Sequence, residues 1–582
     1  MIPMQRTPPA RLLLLPFAAF LVVLPLIING CSCGHDFSFH ISSWLDAAQQ
    51  MRHGILLPRW TISAAWNSGE PRFLFYPPLS WLLGALLTLF SPTAAPILLT
   101  WIALTAASFT MYCLARDFAS SHIALVAAAL YIVNPYMLFT AYERTAYGEL
   151  LAAAWLPLLV AAALSVRPHI TAIALPIALL WLTNAPAAVI GCYGFAVVIA
   201  VRIVLLLVDR KSPVALALRS GAGIGLGAAL AGFYLVPAAY ERRFVQIEMA
   251  IIPNMRFQDN FLFGHTADAP HNVVLHTASL VALTLLALTV IPLALYYLRT
   301  KKFTETSTAL ATLTLLIAFC LTSLSTPLFN HLPELVYLQF PWRMLSLLGV
   351  VFALAVALLL EDLTSSTIPS IAWFHRAMSR SGTALVVAAV TLSSTYLCIH
   401  IFRQGCELAD LPAVHAQLFA TGHGEPPTDE YTPSNADSDF LRTDNPGYWL
   451  STDPQAFAQN TIPNPAATIV NYDTPPSLDQ TLSTPAPHQL ALDLPTPETL
   501  LLNLRDYPAW LIMRNGDPVS ARIQRDDGLI AIPLPAGRST IAIVWRRTKD
   551  QLIGLLLTTL ALLTLGFLSI HSYRRHAARP SA

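Results

Sequence analysis

Leu79-Ser-Trp-Leu-Leu-Gly-Ala-Leu-Leu-Thr-Leu-Phe90 is the stretch on which the topology turns. It is apolar but only twelve residues long, and a helix needs roughly 20 apolar residues to cross a bilayer. Read as an interfacial or re-entrant helix, it leaves the loops on either side of it on one face of the membrane. Longer apolar runs then place spans near 11–29, 95–114, 121–140, 149–165, 169–186, 187–208, 214–236, 276–298, 307–325, 343–360, 382–402 and 551–570. On that count Arg116, Arg167, Arg210, Lys211, Arg219, Arg299, Lys301, Lys302, Arg376, Arg380, Arg574, Arg575 and Arg579 share a side with Arg6. The positive-inside rule makes that side the cytoplasm. A crossing at 79–90 would invert the later loops and set the first one against the rest. The expected fold is a polytopic α-helical membrane protein of about twelve spans with both termini cytoplasmic.

Composition agrees with this class. The 582 residues are 55% hydrophobic and 12% charged, where soluble chains carry roughly 25% charged residues. Mean hydropathy is +0.56. Net charge is +1, with Lys and Arg scattered at span ends instead of gathered in a stripe, which argues against a nucleic-acid partner. The N-terminal Arg6, Arg11 and apolar run end in Ile28-Asn-Gly-Cys31, loosely like a lipoprotein cleavage site. An uncleaved first helix with its positive end inside is the favoured reading. Of seven cysteines, Cys113, Cys192, Cys320 and Cys398 sit in or beside apolar runs as packing residues. Cys31, Cys33 and Cys406 flank the membrane on the outer side, and a disulfide from Cys406 to either of the others is open.

Three parts follow: a transmembrane part over 1–402 with its first external loop at 30–94, an external region over 403–550, and a last span with a cytoplasmic tail over 551–582. The external region is rich in proline, which rules out long helices. Its second half alternates like strands at Gln489–Leu494, Leu500–Leu504, Trp510–Met513, Leu529–Pro533 and Ser539–Val544. Asn515-Gly516 and Asp527-Gly528 read as hairpin turns. A small β-sandwich ahead of the last span is expected.

The first external loop carries the densest chemistry. It runs Cys31-Ser-Cys-Gly-His-Asp-Phe-Ser-Phe-His40, then Pro58-Arg-Trp60, then Pro71-Arg-Phe-Leu-Phe-Tyr-Pro-Pro78. A short surface helix over Asp36–Met51 puts Ile41, Trp44, Leu45 and Ala48 on one face. Asp36, His40 and Ser43 share another, where acid and histidine suit a general-base pair or two ligands of a divalent metal. The simpler reading of Asp36 is a helix cap worth about 1 kcal/mol. Tyr142-Glu-Arg-Thr-Ala-Tyr-Gly-Glu149 offers Glu143, Arg144 and Glu149 to a cleft under that loop, or else an interfacial salt bridge with tyrosine anchors. In Gln339-Phe-Pro-Trp-Arg343, Arg343 at the outer end of a span suits a membrane-surface phosphate, or simply snorkels. Asn184-Ala-Pro186 reads as a tight turn first and a site second. Tyr76, Trp60 and Trp66 suit sugar stacking or an aromatic belt. Central ionisable residues of the kind ion-coupled transporters use are nearly missing from the spans.

Gly34-His-Asp36, His40, Pro58-Arg59-Trp60, Gly69-Glu-Pro-Arg-Phe-Leu-Phe-Tyr76-Pro-Pro-Leu79, Tyr142-Glu-Arg144, Gly148-Glu149 and Gln339–Arg343 together resemble a bacterial membrane family. Its members are labelled "6-pyruvoyl-tetrahydropterin synthase-related", a label that is not evidence of pterin chemistry. The layout also resembles GT-C glycosyltransferases and YfhO-like membrane proteins. That resemblance implies transfer of a sugar from a polyprenyl-phosphate carrier to a glycan or lipid acceptor on the outer face of the inner (plasma) membrane. It assigns the base to Asp36, with His40 and Glu143 as further catalytic candidates. His35, Arg59, Tyr76, Arg144, Glu149 and Arg343 become substrate-binding candidates, with the carrier phosphate on Arg343 or Arg144. The second acid would be Glu143 or Glu149, and the metal stays unknown. The β-region would bind the glycan acceptor or steady the loops. A lipid or glycan transporter and a non-catalytic envelope assembly protein are the alternatives.

Overall fold

The computed structural model describes residues 9–365, 380–460, 468–470, 486 and 488–577. Arg6, Arg376 and Arg579, used above for sidedness, lie outside the described residues. Seven described helices are long and apolar enough to cross a membrane, or up to ten if each of three bent pairs is one span. The expected tally of twelve differs because hydropathy does not register breaks. Ser121–Ile132 with Pro135–Arg144 bends by 44°, Val214–Leu230 with Gly232–Phe244 by 77°, and Glu305–Cys320 with Ser323–His331 by 95°. At the first break Pro135 can donate no backbone hydrogen bond, and the Asn134 side chain accepts from Tyr136 and Met137 to start a new helix. Two other expected spans, Leu14–Asn29 and Ile170–Thr183, are helices of 16 and 14 residues. At 1.5 Å per residue they measure about 24 and 21 Å, against a hydrocarbon core of about 30 Å. The decisive stretch at 79–90 is the helix Pro78–Phe90, also shorter than a span.

The C-terminal region holds all five expected strands. Strands β1 (Tyr448–Ser451), β4 (Glu498–Arg505) and β7 (Leu529–Leu534) form one antiparallel sheet in the order β1-β4-β7. Strands β2 (Thr468–Val470), β3 (Gln489–Leu494), β8 (Gly537–Trp545), β5 (Trp510–Arg514) and β6 (Asp517–Pro518) form the other in that order. Leu490, Leu500, Ile512, Ile530 and Ile541 from both sheets meet in one apolar core. Asn515-Gly516 is the two-residue turn between β5 and β6, with φ of 51° and 90°, as the Asn-Gly pair requires. Asp527-Gly528 is not a hairpin of that kind. It belongs to a longer loop closed by the Ile523–Ala531 bridge, and Asp527 is paired with Arg525 at 2.5 Å.

The first loop, residues 30–94, joins the two parts. Trp60 is fully buried in the β-region core, its ring 5.7 Å from Tyr507, 5.5 Å from Trp510 and 5.7 Å from Trp545. It is therefore unavailable to stack on a sugar. Asp46, fully buried, accepts hydrogen bonds from the backbone of Ile62 and Ser63, the Ser63 hydroxyl and Gln50 at 2.7–2.9 Å. Its carboxylate thus clamps the incoming loop onto the Phe37–Arg52 helix. Ala65, Trp66 and Asn67 all have positive φ, a conformation costing about 1–2 kcal/mol per non-glycine residue. Hydrogen bonds from Trp66 to the Glu425 carbonyl (2.8 Å) and from Glu425 to the Ser63 carbonyl (2.7 Å) hold it. Gly424 lies so close that an added Cβ would stand 2.7 Å from the Trp66 backbone. The open cysteine pairing resolves to Cys33–Cys406, with Cys31 free.

Truncating Trp60 removes the anchor of this junction. The Trp60→Ala variant is expected to lose about 3–5 kcal/mol, read as a lower unfolding midpoint in detergent and faster proteolysis near residue 425. An unchanged midpoint would show that the loop does not support the fold.

Candidate functional site

The site is assembled on a π-helical turn, Phe139–Arg144, that ends the bent 121–144 pair. A π turn leaves carbonyls without the usual helical donors, and residues 32–36 run along them. The Ser32 hydroxyl donates to the Tyr142 carbonyl at 2.6 Å, and the Asp36 backbone donates to the Arg144 carbonyl at 3.0 Å. Gly34 passes so near that a Cβ would fall 2.2 Å from the Glu143 carbonyl oxygen. The Phe37–Arg52 helix starts directly afterwards, with Ile41, Trp44, Leu45 and Ala48 buried as their spacing predicts. The Asp36 side chain makes no capping hydrogen bond at this helix start. The cap reading is therefore set aside.

The Asp36 side chain instead points to Arg144, 3.6 Å away. Arg144 donates to Glu149 at 2.6 Å, and Glu149 lies 3.7 Å from Arg343 and also accepts from the Tyr136 hydroxyl. Asp36, Arg144, Glu149 and Arg343 thus alternate in sign along one wall of a cavity of about 670 Å³ that all four line. Exposure is unequal: 41% for the Asp36 side chain, 5% for Arg144 and Glu149, 13% for Arg343. Trp342 lies under Arg144 and Phe340 under Arg343, each ring centre 4.9 Å from the guanidinium carbon. Arg343 also donates to the Leu338 carbonyl and to Gln339, both at 3.1 Å, while its buried Nε faces the Glu149 carboxylate at 3.7 Å. It is a wall residue held by these contacts, not a snorkelling one. Glu149 belongs to a buried ion pair and is not simply a helix cap.

His35, His40 and Tyr76 line the same cavity. The His40 and Asp36 side chains make no hydrogen bond with each other; the His40 backbone donates to the Asp36 carbonyl at 3.2 Å. The buried His40 ring is packed among Phe39, Trp44, Tyr76 and Tyr147, with centroids 5.2–5.9 Å away. Burial lowers its pKa to about 4 against a modest opposing pull from Asp36, so it is neutral at pH 7. Burial likewise lowers His35 and raises Tyr76. Among the described residues no group of three or more His, Cys, Asp or Glu could hold a metal ion. With Asp36 engaged by Arg144 and His40 enclosed by rings, this donor set does not fit a divalent metal.

Two expected site residues lie elsewhere. Glu143 is buried beside Gln404 and does not line the cavity, because the π turn directs it away from Arg144. Arg59 rests against Phe233, donating to its carbonyl at 3.4 Å, also outside the cavity. Asn184 stands at the break between two helices, where its side chain accepts from the Ala187 backbone, and it lines the cavity. Unanticipated are Thr428, Glu430 and Tyr431, which reach the cavity from the C-terminal region. The Glu70 carboxylate accepts from the Thr428 backbone at 2.9 Å, Arg72 donates to the Thr428 hydroxyl at 3.1 Å, and Tyr431 stacks on Phe75 at 5.7 Å. Burial, and then the nearby Glu70, raise the Glu430 pKa. The sequence signal was faint: Asp429-Glu430-Tyr431 interrupts a proline-rich run with acids and an aromatic.

Helical spans, a charged cavity roofed by the first loop and a C-terminal region closing its far side define a polytopic membrane protein. The chain belongs to the 6-pyruvoyl-tetrahydropterin synthase related domain family, a membrane protein family whose model matches residues 73–401, more than half of the sequence. No curated protein matches the chain. Tyr76, Arg144, Glu149 and Arg343 lie inside the matched segment, whereas Asp36, His40 and Glu430 lie outside it.

His40 yields a pH prediction. Its folded pKa is depressed from 6.5 to about 4, so the unfolded chain binds the extra proton first as pH falls. The stability contribution is present above about 6.5 and declines toward about 4, by on the order of 3 kcal/mol. Unfolding midpoints of the wild-type protein should fall over that window, and His40→Phe should flatten the fall. Parallel profiles would remove His40 as the cause.

Proposed function

We propose that the protein is a GT-C-type integral membrane glycosyltransferase that moves a sugar from a polyprenyl-phosphate donor to an extracytoplasmic glycan or lipid acceptor. The observation that carries this reading is a part-exposed carboxylate and a part-exposed guanidinium lining the same cavity: Asp36 and Arg343. Asp36 takes the proton of the acceptor hydroxyl as that oxygen attacks the anomeric carbon. The bond from the anomeric carbon to the phosphate oxygen breaks, and the lipid phosphate leaves with the electron pair. Arg343, with Arg144, stabilises the negative charge on the departing phosphate. The apolar side of the cavity, with Trp181, Val189 and Leu235, suits the first isoprene units of the carrier.

The same reading places the first loop and residues 403–550 outside the cell and both termini in the cytoplasm of a bacterial inner membrane. It takes twelve spans, counting each bent pair once and adding Leu14–Asn29 and Ile170–Thr183. The Cys33–Cys406 disulfide supports the external placement, because such bonds persist in oxidising compartments. The two sheets sharing one core suit a β-sandwich.

The test is turnover in proteoliposomes with polyprenyl-phosphate-linked sugars. Asp36→Asn, which keeps size and removes the base, should cut transfer by about 10²–10⁴-fold with normal expression and an unchanged unfolding midpoint. Arg343→Ala should lower affinity for polyprenyl phosphate. Wild-type movement of the lipid across the bilayer with no glycosidic bond formed, or full turnover by Asp36→Asn, would defeat the reading.

A further inference from the structure

A second cavity, of about 360 Å³, lies in the β-rich region, away from Asp36. Four stretches build it: Phe244, from the segment between the helices Gly232–Glu241 and Ala269–Thr300, then Pro433–Ala436, and two β-region loops, Asp506–Pro508 and Arg522–Leu529. Its size falls within the range of small-molecule sites, roughly 300–1,000 Å³. Its walls pair apolar surface with planar polar groups. Phe244, half-buried, presents a ring edge-on to Tyr507 at 6.2 Å, and Pro433 and Pro508 extend the apolar wall. The carboxamides of Asn435 and Gln524 are exposed, and Gln524 reaches the Asn435 carbonyl at 3.2 Å.

The charges here are matched among themselves. Arg522 is paired with Asp506 and also donates to the Trp510 carbonyl. Arg525 is paired with Asp527 through two hydrogen bonds, at 2.9 and 2.5 Å. Neither guanidinium is left for an anion. A phosphate or nucleotide is disfavoured, because it would have to break an existing pair. What suits the site is an uncharged ligand with many hydroxyls and apolar C–H faces. The hydroxyls meet amide, carboxylate and guanidinium edges, and the C–H faces meet the ring and prolines.

We infer that this cavity is a binding site for a neutral glycan, one to two sugar rings deep. In the context of the transferase reading, on which its role but not its binding rests, it holds the acceptor chain away from the reacting end. Tyr507 connects it to the first loop, since the same ring lines this cavity and packs on Trp60.

The experiment titrates the full chain in lipid nanodiscs with neutral di- to tetrasaccharides of glucose, galactose, mannose and N-acetylhexosamines, and with sialylated counterparts, read by saturation-transfer NMR. At least one neutral oligosaccharide should bind. The double variant Asn435→Ala/Gln524→Ala, both positions solvent-exposed and so compatible with folding, should weaken it at least tenfold with an unchanged unfolding midpoint. Failure of every neutral sugar, preference for the anionic ones, or wild-type affinity in the double variant would overturn the inference. Transfer activity without such binding would overturn it and leave the transferase standing. Binding without transfer would uphold it and count against the transferase.

Discussion

The arrangement depends on two hydrogen bonds, one from the Ser32 hydroxyl and one from the Asp36 backbone, where residues 32–36 cover carbonyls of the π turn 139–144. A buried carbonyl without a donor costs about 1–3 kcal/mol; Ser32 satisfies the Tyr142 carbonyl, and the Asp36 backbone shares the Arg144 carbonyl with the Thr145 hydroxyl. The same bonds set where the Asp36 side chain begins. Gly34 is required because no Cβ fits against Glu143. The Cys33–Cys406 bond then ties this short run to the start of the C-terminal region. Position of the carboxylate and integrity of the turn are thus one constraint.

The second constraint is electrostatic. Arg144 and Glu149 are almost wholly removed from solvent, and removing one partner of such a pair costs about 3–5 kcal/mol. Alternation along Asp36, Arg144, Glu149 and Arg343 lets each buried charge face an opposite one. The two ends differ in sign: a carboxylate open to the cavity at one end, and a part-exposed arginine at the other. That asymmetry suits a ligand with a hydroxyl to give up at one end and a phosphate to seat at the other. The β-rich region participates through Glu430 and Thr428, anchored by Glu70 and Arg72 of the first loop.

Much of this was legible in the residues themselves. The buried face of the Phe37–Arg52 helix, the five main strands and the Asn515-Gly516 turn follow from periodicity and turn chemistry, which act locally. Asp36, Arg144, Glu149 and Arg343 could be named as candidates because charges are rare beside apolar runs. The helix breaks could not be seen, since a bend at Pro135 or Gly232 leaves hydropathy unchanged. Neither could the fate of Glu143 and Arg59: Glu143 sits beside Gln404, and Arg59 rests on Phe233 of the Gly232–Glu241 helix, partners far along the chain. Trp60 was expected at the surface because the core that buries it comes from residues 490–545, far along the chain. Glu430 was missed for the same reason, its place in the cavity being set by Glu70 and Phe75.

The central claim is that the cavity between the first loop, the 337–343 segment and residues 428–431 receives a lipid-linked anion. Photo-crosslinking tests it most directly, using the full chain in bilayers and a polyprenyl phosphate that carries a benzophenone near its phosphate. The account predicts adducts on peptides containing residues 35–40, 337–343 and 428–431, lost on competition with unlabelled polyprenyl phosphate. Adducts spread over the lipid-facing helices, such as Gly382–Ile401 or Lys549–Ile570, and insensitive to that competition would contradict it.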